Sequence, residues 1–463
     1  MPAQKSKTIL FSRSARIATG AHEDYVMWPF FLHTKLANRR PTLRLPALLA
    51  LLCFCGIVIA APDNNPEKST LSLNEAILKT IEHNPELRAF DYRLKAQQGR
   101  VEQAGLAPSP ELDFLLEDFL GSGNNRGMDR AQATLSISWV LERGLRQHYI
   151  NAATAGSSLI KAQADIQQLN AAAETARRYL LSLAYQAREL NADKSIQLAE
   201  DIIQSVSKRV KAGRTPEAEL SRAQAQLARS QLQREDIVHE LRAANHLLAA
   251  QWGETSPSFS RVEGDIFNLP EIASFENLKS RLPENPEFIR LMSSQLLKQA
   301  ELDLALAQSK PSWRVSAGVR HTNIGNDQSL VAGISIPFGK NTRNPGRIAA
   351  ARANLAKTDN DKHAVQIQSE TALLVIYEKL QHSLHVISIV QSDIIPPLEK
   401  ALVETRRAYQ LGRYSYLELR SVQNELLDAH NMLVEASVAA HGYLIEIERL
   451  TGVSLSQTTT GNT

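Results

Sequence analysis

Cysteine is nearly absent from this 463-residue chain: its 2 thiols, Cys53 and Cys55, both fall inside one apolar run, Leu45 to Ala61. Beyond that run the chain can form neither a disulfide nor a cysteine metal site. Leu52 and Phe54 stand where a lipid-anchoring signal needs a small residue before the cysteine, which argues against lipidation. Aromatic residues are scarce too, at 6%. Long stretches are rich in Ala, Leu and Gln instead, a bias toward extended helix packing rather than a compact mixed core. Proline is missing between Gly144 and Ala212, so nothing there breaks a helix. No glycine-rich phosphate loop and no carboxylate set beside a fixed nucleophile can be read, and acids on long helices are ordinarily solvated charge. The chain is therefore read as no enzyme, with no cofactor. His382 and His385 stand three apart on one helical stretch, but without a carboxylate or thiol pattern beside them they are assigned no metal.

What is present begins with an address. The apolar run follows Arg39, Arg40 and Arg44, offers Val58-Ile59-Ala60 for cleavage, and gives way to Asp63-Asn64-Asn65-Pro66. Residues 1–61 are read as an export signal that is removed, rather than a short membrane anchor, and Met27 is the more ordinary start. Of 52 basic and 49 acidic residues, 8 and 2 lie in that segment, so the remainder carries a net charge of −3. The basicity belongs to the signal, and nucleic-acid binding loses its support.

The remainder is duplicated. Asn84-Pro85-Glu86-Leu87 is echoed by Asn285-Pro286-Glu287-Phe288, an offset of 201, and Pro110 and Pro311 keep it. Ala212-Gly213-Arg214 is answered by Leu411-Gly412-Arg413 at an offset of 199, followed by Leu220, Gln224 and Leu227 against Leu419, Gln423 and Leu426. Gly253 and Gly452 repeat the spacing. Landmarks in the same order at a nearly constant separation define two copies of one design, residues 71–253 and 281–452, joined by a linker at 254–280 and followed by a flexible tail at 453–463.

Each copy is expected to run helix, two strands, long helices. In the first, Asn74 to Gln103 has helical spacing and Ala107-Pro108-Ser109-Pro110 ends it. A hairpin is expected over 111–140, with Leu112, Phe114 and Leu116 alternating with polar residues, then Leu135, Ile137 and Trp139 doing the same; Leu115 fits less well. The second copy repeats this over 312–337 with Trp313, Val315, Ala317 and Val319, then Ala332, Ile334 and Ile336. An isolated two-stranded hairpin is marginal in water. One apolar and one polar face at roughly ten residues per strand is the pattern of a transmembrane β-barrel wall. Single-chain barrels start at about eight strands, so four strands require several subunits to share one barrel.

At ~1.5 Å per residue a helix over 144–212 would reach on the order of 100 Å. In the other copy Leu419, Val422, Leu426, Ala429, Leu433, Ala436, Ala440, Tyr443, Ile447 and Leu450 step by 3 and 4, a coiled-coil seam in which alanine permits close approach. Gly213 and Gly412 interrupt these stretches, as glycines that end helices left-handed. Thr215-Pro216 places a capping hydroxyl and a first-turn proline for the next helix. Ser415 with Glu418 has capping-box spacing. Each copy thus contains a helical hairpin with a tight tip.

The order of elements, the duplication, the Asn-Pro-Glu opening and the glycine tips resemble the TolC outer-membrane efflux family, over about Leu71 to Gly452. The length and the lack of a lipidation site make the chain similar to the outer-membrane components of cobalt-zinc-cadmium-type cation pumps. Ser335-Ile336-Pro337 matches the family's second barrel-exit motif; Val140 stands where the first copy often has proline. The resemblance implies a fold that is mainly α with a small β part: duplicated helical hairpins forming a tunnel, and four strands per subunit in a shared twelve-stranded barrel of a homotrimer. It implies the outer membrane of a Gram-negative bacterium, contact with its lipid, a periplasmic adaptor and an inner-membrane transporter of the RND type as partners, and heavy-metal cations as cargo, with drugs or other small organic compounds as the alternative. The tips, with Gly213, Arg214, Thr215, Gly412, Arg413, Tyr414 and Ser415, are expected to meet the adaptor. Glu219 and Glu418 occupy the family's acidic entrance position, whereas the second acidic ring is replaced by Arg222 and Ser421. A periplasmic adaptor, the rival from another class, would have one hairpin flanked by compact β-domains.

Overall fold

The computed structural model describes residues 69–142, 144–338 and 344–452. The expected signal at 1–61 and tail at 453–463 lie outside them.

The first half opens with a short strand, β1 (Ser69–Leu71), and two helices, α1 (Leu73–His83) and α2 (Pro85–Gly105). Asn84 separates the helices because Pro85 has no N–H to continue α1. Its Oδ1 accepts from the Glu86 and Leu87 amides at 2.9 and 3.2 Å, capping α2. Its Nδ2 donates to the Gln251 carbonyl at 2.8 Å. In the second half Asn285 does the same for α6 (Pro286–Ala307), accepting from Glu287 at 2.7 Å and donating to the Arg449 and Leu450 carbonyls at 3.0 and 2.7 Å. Each asparagine therefore caps an early helix and pins the end of a late one, more than 160 residues away.

Four strands form one antiparallel sheet: β2 (Glu111–Glu117), β3 (Gln132–Leu141), β5 (Trp313–Thr322) and β6 (Asp327–Ser335), in the order β2-β3-β5-β6. The two expected hairpins are thus joined, β3 pairing with β5 from Gln132↔Thr322 to Leu141↔Trp313. The register puts Leu112, Ile137, Ala317 and Ala332 in one row, and Phe114, Leu135, Val319 and Leu330 in the next. This face is exposed, Leu330 at 89%. The opposite face carries charge and hydroxyls. Arg314 pairs with Glu111 and Arg320 with Glu117 at 3.5 Å, both reaching across β3, where Arg320 Nε also donates to the Thr134 hydroxyl at 3.0 Å. Ser138 donates to Asp113 at 3.0 Å. β2 and β6 each have a neighbour on one side only.

The helices follow the seams read from the sequence. α3 runs unbroken over Leu145–Lys211, 67 residues, and returns as α4 (Glu217–Ala249). In the second half α7 (Pro345–Ile389) passes through a π-helical turn, Val390–Ile394, into α8 (Ile395–Gln410), and α9 (Tyr416–Thr451) returns. The wide turn precedes Pro396 and Pro397, whose missing N–H groups an α-helical ladder could not accommodate without loss. On α9, Leu419, Leu426, Ala429, Leu433, Ala440 and Ile447 are buried, at the expected seam.

The segment 254–280, expected as a linker, carries structure. β4 (Phe259–Val262) pairs in parallel with β1, and α5 (Phe275–Arg281) follows. Phe259, Val262, Ile266 and Leu278 are buried. Gln186 of α3 holds Val262 through both backbone groups, at 2.9 and 2.7 Å. The Tyr179 hydroxyl bridges the carbonyls of Leu71 and Glu263 at 2.9 and 2.5 Å, and burial pushes its pKa up to about 12, so it remains a donor. A two-stranded sheet this short persists because Ala76, Tyr179, Leu248, Ala249 and Trp252 from the surrounding helices and the turn after α4 pack against Leu71, Phe259 and Val262.

Candidate functional site

The candidate site is the pair of hairpin tips. Both glycines are left-handed, Gly213 at φ 67° and Gly412 at φ 78°. Arg214 N–H returns to the Arg209 carbonyl and Gly213 N–H to that of Val210, each at 2.9 Å. Arg413 and Gly412 make the equivalent bonds to Ala408 and Tyr409, at 2.9 and 3.0 Å. These paired closures satisfy carbonyls that a helix end leaves open.

The two restarts differ. Ser415 and Glu418 form the capping box: the Ser415 amide donates to Glu418 Oε2 at 2.6 Å and the Glu418 amide to Ser415 Oγ at 3.3 Å. Those bonds hold the Glu418 carboxyl below its ordinary pKa. At the first tip α4 starts one residue later than a Thr215 cap requires, with Pro216 in the capping position and no side-chain cap. Thr215 is no cap: its hydroxyl accepts from Arg209 Nε at 3.1 Å instead. Glu217 and Glu219 in the first turn offset the helix dipole there.

The structure brings the tips together through Arg209, which sequence reasoning passed over. Its Nη1 donates to the Tyr409 carbonyl and, at 3.4 Å, to that of Gln410. Its guanidinium lies 4.7 Å from the centre of the Tyr409 ring. The Tyr409 hydroxyl reaches back to Glu219 at 3.3 Å; burial, then the charge of Glu219, pushes its pKa up to about 12. Asp201 of α3 pairs with Arg406 of α8 at 2.7 Å one turn or more above. Ile202, Val206, Ala223, Tyr409, Tyr416 and Leu419 are the apolar filling beneath. Arg214, Arg413, Tyr414, Ser415 and Glu418 are exposed, while Thr215 and Glu219 are half-buried. Arg209 hid because Lys208, Arg209 and Lys211 read alike as dipole-compensating charges in a last helical turn; only the partner tip singles out one of them.

Similarity to known proteins agrees with this architecture. The model of the outer membrane efflux protein family matches residues 76–254. The cobalt-zinc-cadmium resistance protein CzcC of Cupriavidus metallidurans is 26% identical over 359 residues, 78% of this chain and 84% of CzcC. Among solved structures, the outer membrane protein VceC of Vibrio cholerae superposes with a TM-score of 0.66 at 19% identity, covering 83% of this chain and 96% of VceC. CusC, described with its transmembrane channel formation, gives a TM-score of 0.61 at 16% identity, over 82% and 91%. The four-stranded amphipathic sheet, the long paired helices and the double tip thus make a chain whose residues 76–254 match the outer membrane efflux protein family and whose fold is that of the outer-membrane channels VceC and CusC.

Proposed function

We propose that this protein is the outer-membrane exit duct of a tripartite efflux system that exports heavy-metal cations. The observation that carries the reading is the four-stranded sheet with an exposed apolar face, a charged opposite face and two open edges, set on helices of 67 residues. Such a sheet is stable in lipid only when copies close it into a barrel. A homotrimer does so with twelve strands. The two halves, 71–253 and 281–452, are copies of one unit, each giving the barrel one hairpin and the periplasm one pair of helices. Metal cations as cargo are supported by the likeness to CzcC, which aligns over most of both chains.

In this reading the tips, around Gly213, Arg214, Thr215, Gly412, Arg413, Tyr414 and Ser415, meet a periplasmic adaptor that links the duct to an inner-membrane transporter. Glu219 and Glu418 put acidic charge at the periplasmic entrance. Glu418 does so as a capping carboxylate and Glu219 as the acceptor of Tyr409. Deleting the gene should lower the tolerated concentrations of cobalt, zinc and cadmium salts, and the purified protein should conduct in planar bilayers. Unchanged tolerance of all three metals would remove the cargo assignment, and absence of conductance would remove the duct itself.

A further inference from the structure

The two tips differ in a way that the duct alone does not require. Positions 212, 215 and 218 hold Ala212, Thr215 and Ala218, whereas 199 residues later the second tip holds Leu411, Tyr414 and Leu417. These three are 62%, 47% and 56% exposed. They take no part in joining the hairpins, because the filling between the tips comes from Tyr409, Tyr416 and Leu419 of the second hairpin against Ile202, Val206 and Ala223 of the first. Three large apolar side chains at a hairpin end, left uncovered, mark a surface that something else covers.

The rim of this surface is basic. Lys211, Arg214 and Arg413 are exposed, and among the described residues none of them is in an ion pair. Of the acids nearby, Glu418 is engaged with the Ser415 amide, Glu219 with Tyr409 and Asp201 with Arg406, and Glu217 stands exposed in the first turn of α4, one acid against the three bases. Arg209 is likewise engaged, on the second tip. We infer that the second tip is an apolar seat with a basic rim, and that the partner it receives is a helical hairpin end with small apolar residues at its apex and Asp or Glu on its flanks. This rests on the adaptor reading above and adds the partner's chemistry to it. An apolar centre excludes water while rim charges select the partner by sign and speed the encounter. Basic residues at the end of α3 also offset that helix's dipole, a role that needs no partner and gives no preference between partners.

The test uses the purified full-length protein in detergent and two synthetic antiparallel helical hairpins, alike in an Ala-Leu apex and differing only in Glu or Lys on the flanks. The Glu hairpin should bind about tenfold or more tighter at about 50 mM salt, with the advantage shrinking at about 300 mM as charges are screened. R214E with R413E should transfer the preference to the Lys hairpin. L411S with L417S should weaken both hairpins about tenfold and leave the preference unchanged. Equal binding of the two hairpins, failure of the double reversal to move the preference, or no binding of either would overturn the inference. So would dissociation of the oligomer in the double Leu variant, which would make the patch a contact between copies. If the wild type conducts in bilayers while the hairpins bind equally, only the partner's chemistry fails; loss of conductance would instead strike the duct reading.

Discussion

Arg209 concentrates more of the tip's cohesion than any residue chosen for its motif. It donates to two carbonyls of the other hairpin, to Thr215 of its own, and lies against the Tyr409 ring. Hydrogen bonds from a charged donor contribute roughly 1.5–3 kcal/mol each when desolvated, and less here because the site is only half-buried. R209A is expected to let the tips part and raise single-channel conductance, with R209K intermediate because an ammonium keeps the charge but loses the fork. Conductance equal to wild type in both would show that the tips are held by their apolar filling alone. Glu418 offers a second test. Its carboxyl titrates below its ordinary range because the ionised form accepts the Ser415 amide. The cap's contribution is therefore complete above the ordinary carboxylate range and disappears as pH falls through the lowered value. Hydrogen exchange at the Ser415 amide, corrected for intrinsic rate, should accelerate on acidification in the wild type and not in E418Q, whose amide oxygen can still accept. Acceleration of equal size in E418Q would assign the effect to another group.

At the scale of elements, the Asn-Pro-Glu motifs act as joints. N84A and N285A each remove a helix cap, at about 0.5–2 kcal/mol. They also strip a donor from carbonyls at the end of a distant helix, one for Asn84 and two for Asn285. Both should lower the melting temperature, N285A further. Gly318 is a different kind of joint. A Cβ there would come within 2.4 Å of the Leu135 carbonyl oxygen and 2.6 Å of Ser136 Cβ. G318V should therefore disturb the β3–β5 pairing and reduce assembled protein in the outer membrane, while the helical circular-dichroism signal is retained. The elements visible in the sequence are those whose period repeats: the strands of β3 and β5, the seam of α9, the absence of proline along α3. The elements that escaped lack a period. β4 offers four residues, Phe259 to Val262, among Ser and Pro, and its partner β1 lies 190 residues earlier at Ser69↔Phe259, so its signal is wholly tertiary. Thr215 escapes for a related reason: a hydroxyl before Pro216 fits a cap locally, but Arg209, in the last turn of the preceding helix, takes the oxygen.

For the whole molecule the decisive feature is that the sheet is unfinished. Within one copy β2 and β6 are opposite edges, separated by β3 and β5. At roughly 4.8 Å per strand they stand about 14 Å apart, well beyond the ~7 Å that a disulfide can span between Cα atoms. Leu115 on β2 and Ser329, Val331 and Gly333 on β6 share the charged face. A cysteine at Leu115 combined with one at each of those three positions in turn, in a background with Cys53 and Cys55 replaced by Ser, samples the β6 edge in steps of two residues on one face. If copies close the barrel edge to edge, at least one pair should oxidise between copies in native membranes. The product should be a ladder of covalent dimer and trimer on denaturing gels, with nothing larger, because the third bond returns to the first copy. A fourth rung would mean an open or larger ring. No rung above monomer at any of the three positions would mean that β2 and β6 do not meet, and that the apolar face with Leu330 is covered by something other than lipid. The cross-linked trimer should still conduct, since the disulfide joins strands already adjacent and leaves the hairpin tips free.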